Sequence, residues 1–225
     1  MAFSTVDKSS SHFRSKLWTG TGSAQSITYT ESDNMAPNFV WAKRREIGSS
    51  RLIDSQRGLT KYLTSNAADA QNTDAAIITS FDTNGFSLGD DTSVNASGGT
   101  YIAYYFAGKR GYSKFGNYTG NGNADGTFIY TGFKPAWIMA KKSNSTGDWV
   151  IVDTKRDGYN GANDTLQANV TDAEGGGNRF DIVSNGFKAR STSAYSNSSG
   201  DTFIYMAFAE APLVDSTGKI PATAR

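Results

Sequence analysis

Gly99-Thr-Tyr-Ile-Ala-Tyr-Tyr-Phe-Ala107 and Gly200-Asp-Thr-Phe-Ile-Tyr-Met-Ala-Phe-Ala209 are two versions of one stretch. Each enters through Gly and Thr and continues as a run of aromatic and β-branched residues, the pattern of a buried β-strand. Thr100 and Thr202 stand 102 residues apart, and this spacing organises the rest of the chain.

Working outward, further blocks recur in the same order. Trp18-Thr-Gly-Thr-Gly22 returns as Tyr118-Thr-Gly-Asn-Gly122, and the Pro37 to Lys43 block returns as Pro135 to Lys141. The strand ending at Asp54 matches the one ending at Asp153, Leu63 to Asn66 matches Leu166 to Asn169, and Ile78 to Phe86 matches Phe180 to Phe187. A period near 100 residues means duplicated domains or halves rather than a solenoid. Each repeat carries about seven short strands separated by turns. The expected fold is therefore all-β: two tandem antiparallel β-sandwich, jelly-roll-like repeats related by internal duplication. One sandwich built from two interleaved halves is the alternative. The boundaries read as an N-terminal attachment arm at 1–16, repeat one at 17–109, repeat two at 110–211 and a C-terminal tail at 212–225.

Within repeat one, alternation puts Phe39 and Trp41 on one face of a strand and Val40 on the other. Lys61 to Ser65 reads as a short strand, Asn66 to Asp74 as a loop or one helical turn, and Val94 to Gly99 as a loop. Asn84-Gly85 between two apolar runs predicts a hairpin.

Composition agrees with many turns: 24 Gly, 4 Pro, and only 37% hydrophobic residues although 12% are aromatic. The balance of 22 basic against 21 acidic residues gives no reason to expect nucleic acid or an anionic membrane as partner. Cysteine is absent, which removes disulfides and thiolate chemistry. Neither a signal-peptide pattern nor an apolar run of membrane-spanning length is present, so membrane insertion is not expected.

Little in the chain points to catalysis. The single histidine, His12, lies in the polar arm, so a Ser-His-Asp relay or a zinc site lacks its parts. Asp90-Asp91 leaves a glycan-cleaving carboxylate pair open, but reads better as a solvated turn. Asp82-Thr-Asn84-Gly85 has oxygens a calcium ion could use, but fits a hairpin better. Asp54/Arg57 and Asp153/Arg156 share one spacing in both repeats and read as structural ion pairs. No catalytic residue, metal or cofactor is expected. Phe3, Val6 and Phe13 are the large apolar residues of the Ser-rich arm and fit a segment held by a neighbouring subunit. Tyr29, Tyr159 and Tyr195 lie in loop-like surroundings and are candidates for stacking on the faces of a sugar.

These blocks resemble a domain family of tail-fibre and other structural proteins of tailed bacteriophages, particularly marine ones. The resemblance rests on Met1-Ala-Phe-Ser-Thr-Val-Asp-Lys-Ser9 with His12-Phe13, on Trp18 to Ile27, Pro37 to Lys43, Asp54 to Asn66, Ser80 to Gly89, Asn95 to Ala103, and on the closing Ala207 to Pro212. Repeat two departs from the pattern: Lys-Arg-Asp-Gly replaces Gln-Arg-Gly, and the Thr-Lys that follows is missing. The resemblance implies a non-enzymatic virion component made in the host cytoplasm: a tail fibre, knob, adaptor or head decoration. Its implied partners are other virion proteins and further copies of itself, a trimer being favoured. A receptor-binding module for a host-surface glycan is the alternative.

Overall fold

The computed structural model describes residues 8–29, 35–156 and 164–210. It resolves the chain into two compact units. The first contains 8–66 and 71–108; the second contains 109–210 together with Ala67–Ala70.

After a single 3-10 turn at Ser9–Ser11, the first unit runs through β1 (Phe13–Thr19), β2 (Gln25–Thr28), β3 (Phe39–Arg44) and β4 (Arg51–Asp54). It continues with β5 (Lys61–Tyr62), β6 (Asn72–Thr73), β7 (Ile78–Asp82), β8 (Gly85–Leu88), a short helix α1 (Thr92–Asn95) and β9 (Thr100–Phe106). One sheet has the order β1-β9-β3-β4, the opposing sheet β2-β8-β7, and β5-β6 form a small ribbon. The second unit contains β10 (Ser113–Thr119), β11 (Phe128–Tyr130), β12 (Pro135–Lys142), β13 (Val150–Asp153), β14 (Phe180–Val183), β15 (Gly186–Ala189) and β16 (Thr202–Ala209). Its sheets, β10-β16-β12-β13 and β11-β15-β14, reproduce the two facing sheets of the first unit strand for strand, while the β5-β6 ribbon is matched only by isolated bridges among the described residues.

The fold is thus two tandem antiparallel β-sandwiches produced by duplication, with four strands facing three in each. Among the described residues every sheet is built from strands of one repeat, which removes the interleaved alternative. The stretch that appears twice becomes β9 and β16, each the second strand of its four-stranded sheet and paired on both sides. A strand paired on both edges has its whole backbone satisfied, which suits a sequence this apolar.

Each core is a stack of aromatic rings. Trp18 lies on Tyr101 at 5.3 Å with Phe86 edge-on at 6.0 Å. In the second unit Tyr118 lies on Phe203 at 5.0 Å with Phe187 edge-on at 6.2 Å. Stacked and edge-on pairs each add about 0.5–1.5 kcal/mol beyond the area they bury. Burial pushes the Tyr118 hydroxyl well above its usual range and Tyr205 up to about 12.

The structure corrects several expectations. β1 begins at Phe13, so residues 13–16 are sheet rather than arm, because Arg14 and Trp18 turn inward and are buried. As the alternation predicts, Val40 and Ala42 face the sandwich core, while Phe39 is buried on the opposite face beside Phe106. Lys61 to Ser65 pairs as a strand only over Lys61–Tyr62, and Asn72–Thr73 is its partner. The segment before Gly99 contains α1, capped by the Asp91 carboxylate on the Ser93 amide at 2.9 Å. Ala67–Ala70, placed by their sequence in repeat one, belong to the second unit. The C-terminal tail lies outside the described residues. The expected hairpin is present as β7-β8, joined through Thr83-Asn84.

Candidate functional site

The four-stranded sheet of each unit turns one face to the core and the other outward. Cross-strand register arranges the outward residues in rows, since directly opposed residues share a face. In the first unit the rows are Leu17, Ile102, Lys43; then Ser15, Tyr104, Trp41, Leu52; then Phe13, Phe106, Phe39, Asp54. In the second they are Asn117, Ile204, Lys141; then Phe115, Met206, Met139, Ile151; then Ser113, Phe208, Trp137, Asp153.

Similar sequences meet different surroundings. Phe115, Met139, Ile204 and Met206 are buried, and Lys141 has no exposed surface at all. Its ammonium donates to the Asp69 carbonyl at 3.0 Å and to the Lys142 carbonyl at 2.6 Å. The Gly147 amide donates to the Ala68 carbonyl at 2.9 Å. On the first unit Phe13 is 39%, Leu17 58% and Tyr104 40% exposed, and Lys43 donates to the Gly48 carbonyl at 3.3 Å. Phe13 and Tyr104 lie parallel at 6.3 Å, extending an apolar surface along β1 and β9. A contiguous apolar patch on a sheet face is uncommon on a free monomer and marks a surface that meets something.

Of the expected site residues, Phe3, Val6 and Tyr159 lie outside the described residues. Phe13 stands at the start of β1 on this outward face. Tyr29, in the first unit, is unsuited to a free stacking platform. Its hydroxyl donates to the Ser15 carbonyl, and Arg14 and Lys16 sit over its ring at 4.4 and 4.8 Å. Tyr195, in the second unit, is exposed, with the Arg179 guanidinium 5.7 Å from its ring centre.

Sequence reasoning missed β11. Phe128 and Tyr130 project together from this edge strand into solvent, with Lys114 5.3 Å from the Tyr130 ring. Register equates them with Ser26 and Thr28 of β2, so comparing the repeats at this position carries the signal. Also missed were two buried asparagine hubs, Asn95 and Asn197. Asn95 accepts from the Thr21 amide and Gln25 and donates to the Ser23 and Gly89 carbonyls. Asn197 accepts from the Asn121 amide and donates to Asn121, Asn123 and Ser191. The repeated Asn-x-Ser-Gly before β9 and β16 is their signature.

The acidic candidates have structural duties. Asp91 caps α1, and Asp82 accepts from Ser80 and Ser87 within its hairpin. Asp54 accepts the Gln56 and Arg57 amides and pairs with Arg57 at 2.6 Å; Asp153 does the same with Lys155 and Arg156, again at 2.6 Å. In both units the arginine also donates to the carbonyl two residues before the aspartate, Leu52 or Ile151. Burial pushes Asp153 up, but hydrogen bonds from Arg156 and the two amides outweigh it and hold the carboxyl below its usual range. Among the described residues no group of three or more His, Cys, Asp or Glu side chains is placed to hold a metal. No described helix is long and apolar enough to cross a membrane.

The family model described as a domain of unknown function (DUF7483) matches the chain twice, over residues 8–103 and 91–212. No curated protein and no solved structure matches it.

Proposed function

We propose that this chain, which belongs to the DUF7483 family, is a non-enzymatic structural component of a bacteriophage virion, acting as a fibre knob, adaptor or head decoration. The observation that carries the assembly role is the exposed apolar face of the first sheet, Phe13, Leu17 and Tyr104 beside Lys43. Such a face suits a part whose partners are other virion proteins and further copies of the same chain, with a closed trimer favoured. The phage assignment itself rests on the sequence resemblance. The N-terminal segment, leading into β1 at the margin of the apolar face, would fix the subunit to its neighbour.

The test is incorporation. The protein is expected to co-purify with phage particles through a density gradient. A chain lacking residues 2–8, which leaves β1 intact, is expected to fold but to be missing from them. Full incorporation of the shortened chain would remove the arm from the account; absence of the intact protein from particles would remove the virion role.

The exposed Phe128, Tyr130 and Tyr195 favour a second reading, recognition of a host-surface glycan by the second unit. It requires saturable binding to host polysaccharide that Tyr130→Ala or Tyr195→Ala weakens at least tenfold. Binding that both substitutions leave unchanged would discard it.

A further inference from the structure

The second unit contains a filled socket. Its sheet presents Lys141 from β12 and Gly147 from the following loop, and both donate to backbone carbonyls of Ala67–Ala70, at Asp69 and Ala68. The segment that fills it reads Asn66-Ala-Ala-Asp-Ala70.

Duplication has produced both parts a second time. Register places Lys43 of β3 where Lys141 stands in β12, each opposite an isoleucine, Ile102 or Ile204. The loop that follows carries Gly48 where the second unit has Gly147. Lys43 and Gly48 are both exposed. The filling segment recurs as Asn169-Val-Thr-Asp-Ala173, with the same Asn-x-x-Asp-Ala pattern after the same leucine block. Residues 170–174 are exposed without a break, Val170 included. No hydrogen bond among the described residues engages the Thr171 or Asp172 carbonyl. One plug and socket are mated within the chain; the other plug and the other socket are both open.

We infer that the chain assembles head to tail, the Val170–Ala173 segment of one copy seating on the Lys43 face of the next. The occupant is therefore a second copy of this protein. Charge supports the match. The open socket carries Lys43 with Arg45 two residues further along, and the open plug carries Asp172, with Glu174 next to it paired to Arg156. The apolar residues beside Lys43, namely Leu17, Ile102 and Tyr104, gain the cover that Ile204 and Met206 already have beside Lys141. A contact between two different patches is heterologous: it closes into a ring where the rotation permits and otherwise grows as a filament. This inference rests on the reading that the chain self-associates and names the surfaces that do it.

The experiment is light scattering on the full chain over a range of concentrations, with two variants. Lys43→Ala removes the donor of the socket and Val170→Lys with Asp172→Lys spoils the plug; all three positions are exposed, so folding is preserved. Wild type is expected to reach a multiple of 24.1 kDa, and each variant alone is expected to stay monomeric. Mixed in equal amounts, the variants retain one intact plug and one intact socket, and are expected to stop at the dimer. A wild type that is monomeric throughout overturns both self-association and this interface. An oligomer that neither variant disturbs leaves self-association standing and overturns the interface, as does a mixture that stays monomeric or grows beyond the dimer.

Discussion

Replacing Asn95 by alanine should unfold the first sandwich at far milder conditions than its small size suggests. Asn95 is wholly buried and makes four hydrogen bonds. The Thr21 amide and Gln25 donate to its Oδ1 at 3.0 and 2.6 Å, and its Nδ2 donates to the Ser23 and Gly89 carbonyls, each at 2.6 Å. Gln25 keeps the Thr19 carbonyl at 3.2 Å, so its loss is the smallest. The other three are backbone groups tied to one buried point. At roughly 1–1.5 kcal/mol for each group left unsatisfied, the cost is about 3–4 kcal/mol. For a unit of this size that is a fall in melting temperature on the order of 15 °C. Urea unfolding followed by tryptophan fluorescence reports it, since Trp18 donates to Val94, the neighbour of Asn95. Asn95→Asp sharpens the test. It keeps the shape and the acceptor but sets an oxygen against the Ser23 and Gly89 carbonyls. Burial and those carbonyls raise the introduced carboxyl above its unfolded value of about 3.9. Its penalty is therefore complete at neutral pH and shrinks as pH falls through the raised folded value. A loss below about 1 kcal/mol for Asn95→Ala, or an Asn95→Asp variant milder than alanine at pH 7, would refute the hub as the organiser of these loops.

The two aspartate–arginine pairs should differ in cost. Asp54→Ala leaves Arg57 charged in a site where the pair is only 4–5% exposed, a loss of about 3–5 kcal/mol. Asp153→Ala, with its pair 20–21% exposed, should lose about 1–2 kcal/mol; equal costs in denaturant titrations would contradict the burial argument. Gly120→Ala should destabilise the second unit by about 2 kcal/mol or more, because a Cβ there collides with the Ser198 carbonyl oxygen; a neutral effect in a thermal melt would be inconsistent with this close approach. Acid should act late. The hydroxyl of Thr100 holds Glu46 at about 2, and Lys142 and Ser198 hold Asp201 below its usual range. Depressed carboxylates contribute stability that is complete above an unfolded pKa of about 4 and is lost as pH falls toward 2. Melting temperature should stay level through neutral pH and decline below about 4, and a decline already begun at pH 6 would point to other groups.

How much of this was legible beforehand can be judged residue by residue. The β-class and the duplication were written in local signals: strand-forming runs, turn glycines and blocks recurring in order. Alternation is a property of neighbouring residues, so β9 and β16 could be placed without knowing their partners. The structural role of Asp54/Arg57 was legible because its spacing occurs twice. The asparagine hubs were not, since Asn95 gathers groups from Thr21, Ser23, Gln25 and Gly89 that only the folded chain brings together. Tyr29 looked like a loop aromatic because nothing near it in sequence announces Arg14 and Lys16 above its ring.

The amino-acid order by itself therefore determined the architecture of each sandwich and the fact that there are two. Tertiary structure alone decided that each sandwich closes on strands of its own repeat, since strand pairing is settled by partners far away in the chain. It also decided the fates of the paired surfaces. Ile102 and Ile204, Tyr104 and Met206, Lys43 and Lys141 are near-equivalents in sequence, yet Lys141 is covered by a segment some seventy residues away while Lys43 stands open. Burial depends on what else arrives at a surface, and a sequence pattern describes only the surface.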